Sequence, residues 1–281
     1  MKKNGLAETT ITSRTRALKQ LATMTDLQDP EATKTAITGQ QKWNKRTQRK
    51  HAENYEAFLK YIGKTWKRPR IKPETRFPFI PTETEIDQLI AACQKHTATE
   101  LQTLKETAIR ISELTKLRWQ DLDTQQKTLN ITPAKGSNPR LLHISDKLLN
   151  MINQMPRNRE HIFGTATQAL RTNFCVQRKT ASKKLQNPRI QRITFHTFRH
   201  WKATMEYHKT KDIVHVKNLL GHKSVINTMI YINIEQALFL SQTDEWTCKT
   251  ATNVKEAIEL IEVGFEYIQE IDGIKLYRKR K

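Results

Sequence analysis

The chain has 281 residues, of which 37% are hydrophobic, and its 49 Lys plus Arg outweigh 28 Asp plus Glu to give a net charge of +21. A charge excess of that size repels itself in the folded state and calls for a polyanionic partner. No segment approaches the run of roughly 18 apolar residues that a spanning helix needs, so nucleic acid is expected as that partner and a membrane is not.

The first residues, Met1-Lys2-Lys3-Asn4-Gly5, lead into no apolar core of a secretory signal. Cys93, Cys175 and Cys248 are far apart and lack metal-ligand or redox spacing. Both features fit a reduced, cytoplasmic protein with no disulfide or zinc framework.

Residues 9 to about 65 have helical periodicity. Leu18, Leu21 and Ala22 share one face, and Ala52, Tyr55, Leu59 and Ile62 repeat the pattern later. Across 40–76 there are twelve Lys or Arg and three Glu. A merely solvated face mixes its signs, so Lys42, Lys45, Arg46, Arg49, Lys50, Arg68 and Arg70 are candidates for phosphate contact. The Pro-punctuated basic stretch 66–82 reads as an extended linker. It ends at Thr82-Glu83-Thr84-Glu85, a capping-box pattern that opens a helix with Ile86, Leu89, Ile90 and Cys93 on its buried stripe. The expected division is a helical unit at 1–65, the linker at 66–82, a larger domain at 83–240 and a tail at 241–281.

In the larger domain, helical patterns run to about Leu117. Thr128–Thr132 and Arg140–Ile144 then alternate as strands, and the turn-rich Pro133–Pro139 between them presents Lys135. From Ser145 to Leu240 the pattern is mostly helical. The tail reads as a strand at Trp246–Lys249, a helix opened by Asn253-x-x-Glu256, and a hairpin turning at Asp272-Gly273 with a type I′ turn.

The chemistry concentrates in separated motifs. Arg110-Ile111-Ser112-Glu113 comes first, then His196-Thr197-Phe198-Arg199-His200, then Leu220-Gly221-His222, and Tyr231 nine residues later. Opening a phosphodiester without a metal requires fixed positive charge around the phosphorane, and the arginine fork suits the nonbridging oxygens. A nucleophile and an acid for the leaving oxygen complete the requirement. Arg110, Arg199, Lys135, the histidines and Tyr231 supply that inventory. A phenol has a pKa of about 10, and nearby Arg and Lys charges are expected to favour its phenolate. His196 and His200 have the i, i+4 spacing of metal ligands, but the Glu of a His-Glu-x-x-His zinc motif is absent.

In order and spacing these motifs resemble the tyrosine recombinase, or phage integrase, family over about residues 83–240. The short form and the tail look most like archaeal integrase and Xer-type members. The resemblance implies a mostly α fold with small β elements: a helical core-binding domain followed by an α+β catalytic domain. It also implies strand breakage and rejoining on double-stranded DNA without metal or ATP, by four protomers on two duplexes. Tyr231 would be the nucleophile, with Arg110 and Arg199 on the nonbridging oxygens and Lys135 as acid to the leaving 5′-oxygen. His196 would act as acid or base near Tyr231, and His222 would donate to the phosphate. Glu113 and His200 would support the site, with Lys127 and Arg140 as competitors for the role of Lys135. The tail would either dock on a neighbouring protomer or fold back as a local cap. The family often has Gly where Ala108 stands, a mild change unless that backbone needs positive φ. An idle DNA-binding relative and a type IB topoisomerase-like relaxing enzyme are the competing readings.

Overall fold

The computed structural model describes residues 5–74, 76–134, 136–239, 246–271 and 273–280. Lys135 and the Asp272 half of the expected type I′ turn lie outside the described residues. The chain divides between Phe77 and Pro78 into two compact units, inside the 66–82 stretch expected as linker.

The first unit holds α1 (Glu8–Ala22), α2 (Pro30–Gly39) and α3 (Lys45–Tyr61). Asp29 starts α2 by accepting from the backbone of Glu31 and Ala32 ahead of a proline in the first turn, and Asn44 caps α3 through Thr47 N. The apolar stripes meet in a core of Leu21, Ile37, Ala52, Tyr55 and Leu59. The Tyr55 hydroxyl donates to Leu27 O at 3.0 Å, which fastens the α1–α2 connection to α3. Trp66 and Ile71, although in the stretch read as linker, pack on this core. The physical reason is their apolar side chains, which the proline punctuation obscured.

The second unit begins with α4 (Glu83–Ala92), whose Thr82–Glu85 capping box is present with both of its bonds. Glu85 also accepts from Arg189 Nε at 2.7 Å and from Asn187 Nδ2 at 3.2 Å, so the cap doubles as a tether to the turn at Pro188–Arg192. Next come α5 (Lys95–Thr107) and the single turn α6 (Ile111–Leu114). A three-stranded antiparallel sheet follows, of order β1-β2-β3: β1 (Leu122–Asp123), β2 (Thr128–Ile131) and β3 (Arg140–His143). β1 is too short for its alternation to be read from sequence. Helices α7 (Asp146–Asn153), α8 (Thr167–Lys184), α9 (Phe195–Thr210), α10 (Ile213–Leu220) and α11 (Ile230–Phe239) complete this part.

Its main core runs from Ile86 and Leu89 through Leu101, Leu104, Leu129 and Leu148 to Phe174 and Phe198. A smaller cluster of Ala108, Ala203, Val216, Leu220, Tyr231 and Ile234 packs α9, α10 and α11 together. The last residues form β4 (Trp246–Ala251), α12 (Val254–Glu262), β5 (Glu266–Ile271) and β6 (Ile274–Arg280), in an antiparallel sheet of order β4-β6-β5. Ala251, Ala257, Leu260 and Tyr277 give this tail a small core of its own. At α12, Asn253 caps Glu256 N as expected, but the Glu256 carboxylate turns to Thr252 N and Oγ1. The fold is thus mostly α with two small sheets. Among the described residues, no helix is long and apolar enough to cross a membrane.

Candidate active site

The site is assembled where α5 and α10 end. Both helices stop in the left-handed region, at Ala108 (φ 53°) and Gly221 (φ 66°). Each turn leaves a carbonyl without a partner in its own helix, and both carbonyls point at Arg199 on α9. Arg199 Nη1 donates to Ala108 O at 2.7 Å and Nη2 to Leu220 O at 2.6 Å, with the side chain only 2% exposed. Burial, then the neighbouring charge of Arg110, lowers its pKa to about 9, still high enough to keep it charged at neutral pH. Ala108 therefore does occupy a positive-φ position, and the Gly-to-Ala difference carries left-handed strain rather than being mild.

The reversal at Ala108 delivers Arg110 to the start of α6. The Arg110 backbone N–H donates to Glu113 Oε2 at 2.8 Å, and its Nη1 donates to Glu113 Oε1 at 3.1 Å and to Ser137 Oγ at 2.9 Å. Glu113 is buried and also accepts from Arg140 Nη2 at 2.6 Å. Burial alone would raise its pKa; the Arg110 backbone bond and the charge of Arg140 prevail and hold it below the usual carboxylate range.

Arg140 has a part here that was not foreseen for it. Only 7% exposed, it donates through Nη1 to Leu220 O, the carbonyl that Arg199 also uses. The sequence did carry the signal. Leu142 faces inward and Leu141 is 63% exposed, so strand alternation puts Arg140 on the inner face. Ser137 closes the ring by donating to Gly221 O at 2.8 Å. Gly221 is required twice over. A Cβ there would stand 2.3 Å from Arg140 Nη1 and 2.7 Å from Ser137 Oγ, and its φ of 66° already disfavours any side chain. Lys127, the other competitor, is half-buried and paired with Asp146 at 2.7 Å.

Tyr231 opens α11 and is 3% exposed within the smaller apolar cluster. Its hydroxyl is 3.1 Å from His200 Nδ1, so the histidine in contact with the phenol is His200. His196 packs edge-on against His200 with ring centroids 4.6 Å apart. The expected pull of the arginines toward phenolate is present but does not prevail. Burial raises the phenol pKa to about 12, outweighing the opposing pull of Arg199 and Arg110. Burial, then His196 and Arg199, lowers His200 to about 4. His222 also falls to about 4, through burial and then Arg199, Arg110, Arg140 and His196. His196 is lowered by burial, then Arg199 and Arg110, although it still meets solvent. Buried Glu235 fixes α11 to α9, accepting from His208 Nδ1 at 2.7 Å and from Lys211 Nζ. Among the described residues no cluster of His, Cys, Asp or Glu could hold a metal ion.

A sequence model of the phage integrase family matches residues 81–237, more than half of the chain and the whole span from Arg110 to Tyr231. The chain belongs to the phage integrase family. This integrase-family chain is 27% identical over 223 residues to the tyrosine recombinase XerA of Pyrococcus furiosus, covering 73% of this chain and 70% of that one. It is 27% identical over 175 residues to a tyrosine recombinase of Thermosipho africanus, covering 60% and 61%. The match to a Sinorhizobium fredii protein named as an integrase/recombinase is 28% over 172 residues, 59% of this chain and 56% of that one. The chain thus spans between 56% and 70% of these relatives' lengths. In fold it is similar to the Tn1549 transposon integrase in complex with transposon right end DNA (TM-score 0.65, 14% identity, 84% of this chain and 94% of that one). It is also similar to a lambda integrase dimer bound to a COC′ core site (TM-score 0.62, 14% identity, 81% and 72%). The tail from β4 onward lies beyond the family match.

Two expectations follow from this geometry. Gly221→Ala should lower stability by more than the ~1–2 kcal/mol that a left-handed alanine costs by itself, because Arg140 and Ser137 must also move; denaturant unfolding measures it. His200 and His222 have folded pKa values near 4 against an ordinary 6.5. Between those values the unfolded chain binds more protons, so stability contributed by the neutral rings is present above pH 6.5 and is lost as pH falls toward 4. Denaturation midpoints across that window should fall with pH, and His200→Asn should flatten the slope.

Proposed function

We propose that this chain is a site-specific recombinase that breaks and rejoins double-stranded DNA through a 3′-phosphotyrosyl intermediate on Tyr231. The observation that carries the reading is the convergence of Arg110, Arg199, His222 and the Tyr231–His200 pair from separate segments into one cluster. Three guanidiniums, of Arg110, Arg140 and Arg199, face a single carboxylate, Glu113. That surplus of positive charge suits a phosphate that has lost its water.

In the proposed step the Tyr231 oxygen forms a bond to phosphorus and the bond from phosphorus to the 5′-oxygen breaks. The phenol proton passes to His200, and Lys135 gives a proton to the leaving oxygen. Arg110 and Arg199 hold the nonbridging oxygens, and His222 donates to one of them. A 5′-hydroxyl from the same or a second strand reverses the step, and the covalent bond conserves the energy that resealing needs. The pKa values of about 12 for Tyr231 and about 4 for His200 bear on timing. With the phenol raised and the imidazole lowered by burial, full proton transfer before attack is disfavoured, and in the proposed step transfer accompanies phosphorus–oxygen bond formation.

The first unit supplies the grip. Lys42, Lys45, Arg46, Arg49, Lys50, Arg68 and Arg70 are all exposed. Arg49 is paired with Glu53 and Arg68 with Glu56. Lys45 and Arg46 lie in the first turn of α3, which has no acidic residue. Cations there oppose the helix dipole unless an anion covers them, and a DNA phosphate is that anion. Assembly of four protomers on two duplexes is the proposed working form; a lambda integrase tetramer bound to a Holliday junction has the same fold.

Incubation with nicked suicide duplexes, without metal and at low salt, should give a denaturant-resistant adduct on Tyr231, lost in Tyr231→Phe with DNA binding retained. Binding without adduct on any duplex would favour the idle DNA-binding reading, and relaxation of plasmid without recombinant product the topoisomerase-like one. The triple variant Lys42→Ala, Lys45→Ala, Arg46→Ala should reduce the slope of log affinity against log salt by about 0.9 for each phosphate contact removed.

A further inference from the structure

We infer that Thr228 is a positioning residue that sets the tautomer of His222, so that Nε2 carries the hydrogen offered to the scissile phosphate. The inference rests on the proposed reaction only in taking Nε2 of His222 as the atom that addresses the phosphate.

Thr228 is 0% exposed and its Oγ1 is 2.9 Å from His222 Nδ1. Among the described residues, no other hydrogen-bond partner of that hydroxyl is present. The bond can be drawn in two directions. If Nδ1 carried the hydrogen it would donate to Oγ1, and the threonine hydrogen would be buried without an acceptor. If Nδ1 is bare, the hydroxyl donates to it and both groups are satisfied. An orphaned buried donor disfavours the first arrangement by roughly tenfold or more. The ring hydrogen therefore sits on Nε2, the nitrogen turned away from Thr228.

The choice matters because the ring is neutral. Arg199 and His196 on α9, Arg110 ahead of α6 and Arg140 on β3 surround His222 and join its burial in holding the uncharged form at neutral pH. A neutral imidazole has one N–H, so the tautomer alone decides whether the phosphate meets a donor or a lone pair. Thr228 has a second attachment to the site. Its carbonyl accepts from Tyr231 N at 3.0 Å, so one buried residue places the hydrogen-bond donor by its side chain and the start of the nucleophile's helix by its backbone.

The test combines a direct reading of the tautomer with a rate. In protein labelled with nitrogen-15 at histidine, two-bond proton–nitrogen correlation spectra report which ring nitrogen of His222 is protonated. Wild type and Thr228→Ser should show the Nε2–H form. The near-isosteric Thr228→Val should shift toward the Nδ1–H form. At pH 7.5, adduct formation on a suicide duplex should drop about tenfold in Thr228→Val, less than the ~10²-fold cost of removing such a donor outright. Thr228→Ser should stay near wild type and DNA affinity should not change. As pH falls toward 4, where the imidazolium that carries both hydrogens becomes populated, the valine variant should close on wild type. A wild-type His222 protonated on Nδ1, or a valine variant with the wild-type tautomer and rate, overturns the assignment. A wild-type chain that forms no adduct overturns the recombinase reading instead, and the spectra still decide the role of Thr228.

Discussion

The site depends on one buried cation. Arg199 has given up its water, and the compensation comes from the carbonyls at two helix C-termini, Ala108 O after α5 and Leu220 O at the end of α10. A helix C-terminus is the negative end of the helix dipole, so the guanidinium is held by two converging partial charges as well as by two hydrogen bonds. Both helices must stop in the left-handed region for those carbonyls to turn inward. That requirement explains the glycine at 221 and the strained alanine at 108. The loop from Ser137 to Arg140 then has a fixed surface to meet. Asn138 N and Ser137 Oγ both donate to Gly221 O, and Arg140 reaches Leu220 O. Loss of either left-handed turn would remove the seat of Arg199 and the support of the hairpin together.

Much of the constellation was legible from residue types and order. Arg110, His196, Arg199, His222 and Tyr231 stand out as groups suited to phosphate chemistry, Glu113 and His200 as supports for them, and the structure brings the seven near one another. The strands bearing the hairpin and the Thr82–Glu85 cap followed from alternation and capping rules. Direction and degree of burial were harder to read. The nearby arginines suggested a depressed phenol pKa, yet Tyr231 sits in an apolar cluster with Val216, Leu220 and Ile234, and desolvation prevails over charge. Composition reveals which charges exist; only packing reveals how much water they retain.

The same limit accounts for the residues that sequence reasoning passed over. Thr228 looks like any threonine until its hydroxyl is found buried against His222. Arg140 shares the inward register of Leu142, but its partners Glu113 and Leu220 lie outside its strand. Trp66 and Ile71 fall in a stretch that Pro69 and Pro73 mark as linker, yet both pack on the core of the first unit. For Thr228, Trp66 and Ile71 the missing information was a tertiary contact that a local pattern cannot encode; for Arg140 alternation gave the burial, and only its partners Glu113 and Leu220 required the structure.

The buried phenol also bears on how such a chain would avoid cutting DNA at random. Tyr231 and His200 are both uncharged at neutral pH, and their pKa values, about 12 and about 4, leave neither ready to exchange a proton with the other. The arginines' pull toward phenolate is already present without a substrate, and burial outweighs it. A phosphate seated on Arg110 and Arg199 adds negative charge, which would further disfavour a free phenolate beside it. The remaining route is one in which the oxygen's negative charge never develops fully, because it passes into the phosphorane as the proton leaves. The proposed reaction would then require phosphorus, phenol oxygen and His200 to be aligned at once. A phosphate gripped by the arginines but displaced from that line would be bound and left intact.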